Sequence, residues 1–392
     1  MMTFLKDFSL SALIAGFVTV LVGFTSSAVI VFQAAHAFGA GPAEVASWMW
    51  ALGLGMGATC ILLSLRFKVP VVTAWSTPGA AMLITAGAGM PMAQAIGAFM
   101  VSALLMALFG FTGWFERSIK RIPMSLASGM LAGVLLRFGL DVFAAMKTQF
   151  VLAFAMFCTY LLARRLLPRY AVISALAVGS AIAAAQGLLQ LDGITLELAR
   201  PLWTTPQFSV SAIIGIALPL FIVTMASQNM PGVAVIRASG YTVPISPLIG
   251  WTGGATLLLA PFGAYALNLA AITAAICMGR EAHEDPARRY VAAVAAGAFY
   301  LLIGLFGATV AAVFAALPKE LVQVIAGLAL FGTIGNGLAA ALAKEGEREP
   351  ALVTFLVTAS GITLFGIGSA FWGLLAGVLA LLLMLAGRKV KK

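Results

Sequence analysis

The sequence predicts an all-α polytopic membrane protein of fourteen transmembrane segments, folded as a 7+7 inverted repeat, and three observations carry that prediction. First, 9% of the 392 residues are charged and 62% are hydrophobic, whereas a soluble domain carries about 25% charge because water must wet its surface. Such a chain needs lipid as the solvent for its outside. Second, the stretches 8–32, 91–115 and 350–387 are apolar and nearly uninterrupted. Roughly 20 apolar residues cross the hydrocarbon core as a helix, and the third stretch suffices for two spans with a bend at Gly366, Gly368 and Ser369. Third, the basic residues fall in short clusters between the apolar runs, as the positive-inside rule demands.

In order, the segments read 8–33, 43–65, 69–89, 91–115, 123–141, 148–163, 171–189, 209–230, 245–259, 261–279, 287–316, 319–342, 350–367 and 369–387. With both termini cytoplasmic, the cytoplasmic loops and tails hold nineteen of the 23 Lys and Arg residues, including Arg66/Lys68, Arg117/Lys120/Arg121, Arg164/Arg165/Arg169, Arg280/Arg288/Arg289 and the tail Arg388–Lys392. Lys147, Arg200 and Lys319 fall outside, and Arg137 lies within a segment. An odd number of spans would destroy this asymmetry. The same distribution removes nucleic acid as a partner of the +10 chain, since no soluble basic face exists. The first run is too long for a signal core and lacks a clear cleavage site. Cys60, Cys158 and Cys277 sit in or at the ends of apolar runs and read as small hydrophobes, not as a metal site or disulfide.

Residues 190–208, the longest non-apolar stretch, divide the chain into halves that echo one another. Ser9–Gly16 resembles Ser209–Gly215, Pro70 answers Pro261, and Leu131-Ala-Gly133 answers Ile325-Ala-Gly327, each downstream of a proline (Pro123, Pro318), at offsets of 191–200 residues. Seven segments per half is odd, so the second half must run in the opposite sense, the architecture of many secondary transporters. Gly53, Gly55 and Gly57, mirrored by Gly250, Gly253 and Gly254, are expected to let helices approach closely.

Segments three and ten do not read as continuous helices. Pro70-Val-Val-Thr73 is extended in character, and Ser76-Thr77-Pro78-Gly79 is a helix start, with Thr77 expected as N-cap and Pro78 at the first helical position. Pro261-Phe-Gly-Ala-Tyr265-Ala-Leu-Asn268-Leu269 repeats the plan, with Asn268 expected to cap the second half-helix. Backbone interrupted at membrane depth is tolerated where protein or a cavity covers it. Two half-helix starts meeting there would aim free N–H groups at one place, which suits an anion.

Thr73–Ala80, Ser227-Gln-Asn-Met-Pro-Gly232 and Gly279–Pro286 with Arg289-Tyr290 resemble the BenE family of benzoate/proton symporters along the whole chain. The family is similar in fold to nucleobase transporters of the uracil and xanthine type. The resemblance implies a core domain of segments 1–4 (residues 1–122) and 8–11 (209–317), a gate domain of segments 5–7 (123–189) and 12–14 (318–392), and 190–208 as the loop between repeats. It further implies a bacterial inner membrane location, a small organic anion and a proton as cargo, and substrate held between the domains at the broken segments. A nucleobase-type carrier places a carboxylate on segment eight, but Thr224–Asn229 contains none. A carboxylate would repel an anion, so the departure favours an aromatic or other organic carboxylate over uracil.

The substrate-binding candidates are therefore Ser76, Thr77, Pro78, Gly79, Tyr265, Asn268, Leu269, the segment-eight residues Ser227, Gln228 and Asn229, and Ser26 of segment one, with Trp75 as a further apolar wall. Arg137 and Asp141, spaced i, i+4, are expected to form an ion pair at a gate. No residue is assigned the coupled proton, since His36 and His283 fall near segment ends or loops. No catalytic cluster, metal or cofactor is expected, and without a G-x-x-x-x-G-K-[ST] motif transport must run on a gradient. The sequence does not set the oligomeric state; a homodimer is carried as an expectation.

Overall fold

The computed structural model describes residues 7–87, 89–114, 123–167, 170–190, 195–280, 282–362, 364 and 369–390, without the side chains of residues 25, 26, 238 and 385–390. Helix α1 (Leu10–Ala37) starts at Ser9, whose hydroxyl oxygen accepts the Ala12 N–H, and bends by 44° between Phe24 and Ser27. Helix α2 (Pro42–Phe67) opens on a proline, whose missing N–H costs nothing in a first turn. Strand β1 (Thr73–Trp75) leads into the ten-residue α3 (Thr77–Ala86). After α4 (Met92–Phe111) come α5 (Met124–Ala144), α6 (Phe150–Leu166) and α7 (Ala171–Ala185).

The second half begins with α8 (Val210–Arg237) and α9 (Ile245–Leu259), then strand β2 (Leu267–Leu269) and the seven-residue α10 (Ile272–Met278). Helices α11 (Tyr290–Leu305), α12 (Gly307–Ala315), α13 (Lys319–Leu342), α14 (Arg348–Ala359) and α15 (Ser369–Val390) complete it. Among the described residues, seven helices are long and apolar enough to cross a membrane, or eight when α1 counts as one bent span. The protein is thus a predominantly helical membrane protein whose remaining apolar helices, α3, α7 and α15, are shorter.

Two expected boundaries move. Segment 287–316 is broken at Phe306 between α11 and α12, where Gly304 and Gly307 weaken the helix. Segment 350–367 ends its helix at Ala359, followed by Gly361 at φ 68°, while the expected bend residues Gly366 and Gly368 lie outside the described residues.

Packing sorts the helices into two sets. In one, α11 lies on α1 and α2, α9 on α4, and α1 on α3 and α10. In the other, α5 lies on α13 and α14, α14 on α15, and α6 on α7. Glycine makes the two main contacts of the first set. A Cβ on Gly53 would come within 2.5 Å of the Gly304 Cα, and one on Gly253 within 2.5 Å of the Ala107 nitrogen. Gly57 is closed by Leu301 and the Gly297 carbonyl, and Gly250 by the Phe111 ring. Gly55 instead admits Leu267 of β2, and Gly254 faces open space, so the packing role expected of Gly254 does not hold.

Strands β1 and β2 pair antiparallel, with Thr73 opposite Leu269, Ala74 opposite Asn268 and Trp75 opposite Leu267. The stretch 195–207 is strapped over the helix ends, its backbone bonded at Ala199 to Leu305, at Thr204 to Pro261 and at Gln207 to Ala93.

Candidate substrate site

The strand pair is held on all its free edges. Ser64 Oγ both donates to the Val71 carbonyl (3.1 Å) and accepts its N–H (3.0 Å), and Thr73 donates to Met56 O (3.1 Å) and lies 2.6 Å from Thr59 Oγ1. These bonds pin β1 to α2. Trp75 Nε1 donates to Ser27 Oγ at 2.9 Å, and its ring meets Phe24 edge-on, which ties the end of β1 to α1. On β2, the Leu267 N–H goes to Thr256 Oγ1 of α9 (3.1 Å) and the Leu269 N–H to Asn229 Oδ1 of α8 (2.9 Å). Two buried backbone donors of one strand, two residues apart, are thus satisfied by side chains of two different helices, as a dry interior requires.

Ser76, not Thr77, caps α3: its Oγ accepts the Gly79 N–H at 3.0 Å, which leaves Thr77 and Pro78 as the first two helical residues. The proline tolerates either position because it has no N–H to lose there. Gly79 fits closely under α8 and the cap, since a Cβ on it would come within 2.7 Å of Leu220 Cδ1 and 2.9 Å of Ser76 Cβ. Ser76, Pro78 and Gly79 are buried and Thr77 is half-buried.

Asn268 is likewise not a cap. It lies inside β2, four residues before α10, whose N-cap position is Ala271 with no side-chain bond. Strand pairing at the crossing overrode the local helix-start signal. Its Nδ2 donates to the Ala266 carbonyl at 2.9 Å, while Oδ1 is buried and has no partner among the described residues. Ala266 stands at φ 40°, a left-handed conformation that costs a non-glycine residue about 1–3 kcal/mol and clusters at functional sites.

Helix α8 contains two π-helical turns, Ile213–Ala217 and Met225–Asn229, each followed within two residues by a proline, Pro219 and Pro231. A proline cannot donate to the carbonyl four residues back, and a wider turn accommodates the gap. The second π turn carries Ser227, Gln228 and Asn229. Asn229 is buried, bonded to Leu269 and through Nδ2 to Met225 Sδ (3.3 Å), while Ser227 and Gln228 are half-buried. Both this turn and α3 touch α5, so the candidate residues sit where the two helix sets meet. Reading Pro219 and Pro231 as register breaks would have exposed the π turns from the sequence.

Other candidates fall elsewhere. Tyr265 is buried among Trp48 and Phe99, with ring centroids 5.9 Å from each. Arg137 and Asp141 do not pair; ion pairs among the described residues join Arg288 to Asp7 and Asp285, and Lys344 to Glu347. Arg137 is exposed and Asp141 half-buried, and i, i+4 spacing permits a contact without compelling one. The Ser26 side chain lies outside the described residues.

A feature the sequence did not announce is a vestibule of about 1510 Å³, lined by Gln33, His36, Gln190, Glu197 and Arg200 among others, where the 195–207 strap arches over α1 and α2. Among the described residues the only buried charged side chain is Arg289, which bonds the carbonyls of Met278, His283 and Glu284 and so closes the end of α10.

Residues 6–383 match the family described as benzoate membrane transport protein, BenE. The chain is 52% identical over 365 residues to the inner membrane protein YdcO of Escherichia coli, covering 93% of each. It is 41% identical over 383 residues to a benzoate membrane transport protein of Acinetobacter baylyi, covering 98% of this chain and 97% of that one. Among solved structures, SLC26A9 superposes with a TM-score of 0.61 at 14% identity, covering 99% of this chain and 67% of the other. The transmembrane domain of the cyanobacterial bicarbonate transporter BicA superposes with a TM-score of 0.58 at 14% identity, covering 94% and 97%.

Proposed function

Because the chain belongs to the BenE benzoate membrane transport family, and is thereby a membrane transporter and not an enzyme, we propose that it takes up benzoate or a similar small aromatic carboxylate by proton symport, binding it where β1 and β2 cross. One observation supports the placement of the site: at that crossing the buried carboxamide of Asn268 keeps an oxygen without a partner among the described residues. A buried polar atom left bare costs free energy unless something binds it. Ser76, Thr77, Pro78, Gly79, Leu269, Ser227, Gln228 and Asn229 sit on the elements around it, and Tyr265 and Ser26 belong to the flanking chain.

The fourteen-span topology remains the reading that best accounts for the short elements. Residues 72–76 in extended form and the ten residues of α3 supply about 17 Å and 15 Å of length, enough for a core of about 30 Å. An inverted repeat is supported by the packing, since exchanging each element with its counterpart in the other half turns the α2–α11 contact into α9–α4 and leaves α5–α13 unchanged. We assign residues 1–122 and 209–317 to a core domain, 123–189 and 318–392 to a gate domain, and both termini to the cytoplasmic side of a bacterial inner membrane. A homodimer is compatible with this plan.

The test is uptake of labelled benzoate into vesicles holding the purified protein, with the outside acidic. Accumulation that collapses with a protonophore is expected, and Asn268→Ala should abolish it while the thermal melt stays near wild type. Uptake indifferent to both the pH gradient and that substitution would refute the proposal.

A further inference from the structure

We infer that the coupled proton crosses the membrane on the substrate itself: the site takes the neutral carboxylic acid, whose O–H donates to Asn268 Oδ1. This rests on the benzoate-uptake reading above and adds which atom holds the proton.

The protein offers no base at the crossing. Helices α3, α4, α9, α10 and α11 contain no Asp, Glu, His, Lys or Arg, and neither do the strands. The charged or imidazole groups of the other elements around the site are His36 of α1, Glu44, Arg66 and Lys68 at the ends of α2, Arg237 at the end of α8, and Arg137 and Asp141 of α5, all exposed or half-buried, and the buried Arg289 at the end of α10, a cation bonded to three carbonyls and no base. His36 is engaged with the Ala40 carbonyl at 3.0 Å, at the vestibule. The thiol of Cys60, in contact with Thr73, and the phenol of Tyr265 are weak acids that ordinarily hold their proton already at neutral pH, so they cannot take one up.

The Asn268 oxygen, which lies on the strand pair itself, has the right sense for a donor; the Tyr265 and Thr224 hydroxyls, also buried without a partner among the described residues, lie off the strands. A carboxylate only accepts hydrogen bonds, whereas a carboxylic acid also donates one. The Asn268 amide cannot be turned to present its nitrogen instead, because that nitrogen is committed to the Ala266 carbonyl, an acceptor. A bare carbonyl-type oxygen repels a carboxylate and suits an O–H. Burial works in the same direction: desolvation raises a carboxyl pKa by as much as about three to five units, and from an ordinary carboxyl value near 4 that suffices to keep the acid protonated at neutral pH. On the outer side a proton from water adds to a carboxylate oxygen and forms the O–H bond. On the inner side that bond breaks, the proton returns to water and the carboxylate leaves, so one anion and one proton cross together without net charge.

The experiment is an isotope-edited infrared spectrum of carboxyl-labelled benzoate bound to the purified wild-type protein at neutral pH. The carbonyl band of a carboxylic acid is expected, together with competition by benzamide, a neutral donor of the same shape, and none by permanently anionic benzenesulfonate. The apparent affinity for benzoate should fall about tenfold per pH unit above the free acid's own pKa. A bound spectrum showing the carboxylate pair of bands, or benzenesulfonate competing where benzamide does not, overturns the inference while leaving uptake of benzoate intact. Absence of any benzoate binding or uptake overturns both. Asn268→Leu, which keeps bulk and removes the acceptor, should abolish direct binding of labelled benzamide; unchanged benzamide binding by that variant contradicts the assignment to Oδ1.

Discussion

In the first interrupted segment the strand runs directly into a ten-residue helix whose opening turn is closed by Ser76, whereas in the second two residues and no side-chain cap separate the strand from a helix of seven. The first strand has its polar groups bonded to α2, and the second borrows a hydroxyl from α9 and an amide from α8. Strain at Ala266, and at Asn268 an oxygen without a partner among the described residues, occur on the second side. Two similar sequences thus produce one orderly half and one half that keeps a buried oxygen unpaired among the described residues. The Asn268 oxygen is an acceptor, and the O–H of a carboxylic acid is a donor that matches it.

The largest effect should come from the second half. Asn268→Leu is expected to reduce benzoate uptake by a hundredfold or more in vesicles, about 2.7 kcal/mol or greater of lost stabilisation on the reaction path; near-normal uptake would remove the asymmetry just described. Next, Gly53→Leu should destabilise by about 1–3 kcal/mol or prevent folding, because its Cβ meets the Gly304 backbone at 2.5 Å. Denaturation in detergent measures it, and Gly254→Ala, which faces open space, is the matched control. Asn229→Leu strands the buried Leu269 N–H and should cost about 1–3 kcal/mol with a parallel loss of uptake. On the orderly side, Ser76→Ala should cost about 1 kcal/mol of stability and Thr77→Ala less, a ranking that reverses if Thr77 is the cap after all. Smallest of all, neutralising Arg137 and Asp141 singly should change stability by less than about 0.5 kcal/mol, since no bond joins them.

The broken segments were legible because their signals are local: Pro70, Ser76-Thr77-Pro78 and Pro261 dictate backbone over a few residues whatever surrounds them. Asn268 was misread for the opposite reason. Aligning it with Thr77 assumed that both half-helices start at equivalent points, but the cross-strand register sets Asn268 against Ala74, and that register is decided by contacts far apart in sequence. The pairing of Arg137 with Asp141 failed because i, i+4 spacing permits a contact without compelling one. Close helix contact at Gly53, Gly57, Gly250 and Gly253 was readable from spacing alone, whereas the open position of Gly254 depends on which face of α9 meets α4.

The most direct test clamps the membrane potential at zero and imposes only a pH gradient on vesicles containing wild-type or Asn268→Leu protein, with labelled benzoate outside. Wild-type vesicles should accumulate benzoate above equilibrium for as long as the outside is more acidic, and the variant should match empty vesicles. Equal accumulation by the two proteins would contradict transport through the crossing of β1 and β2.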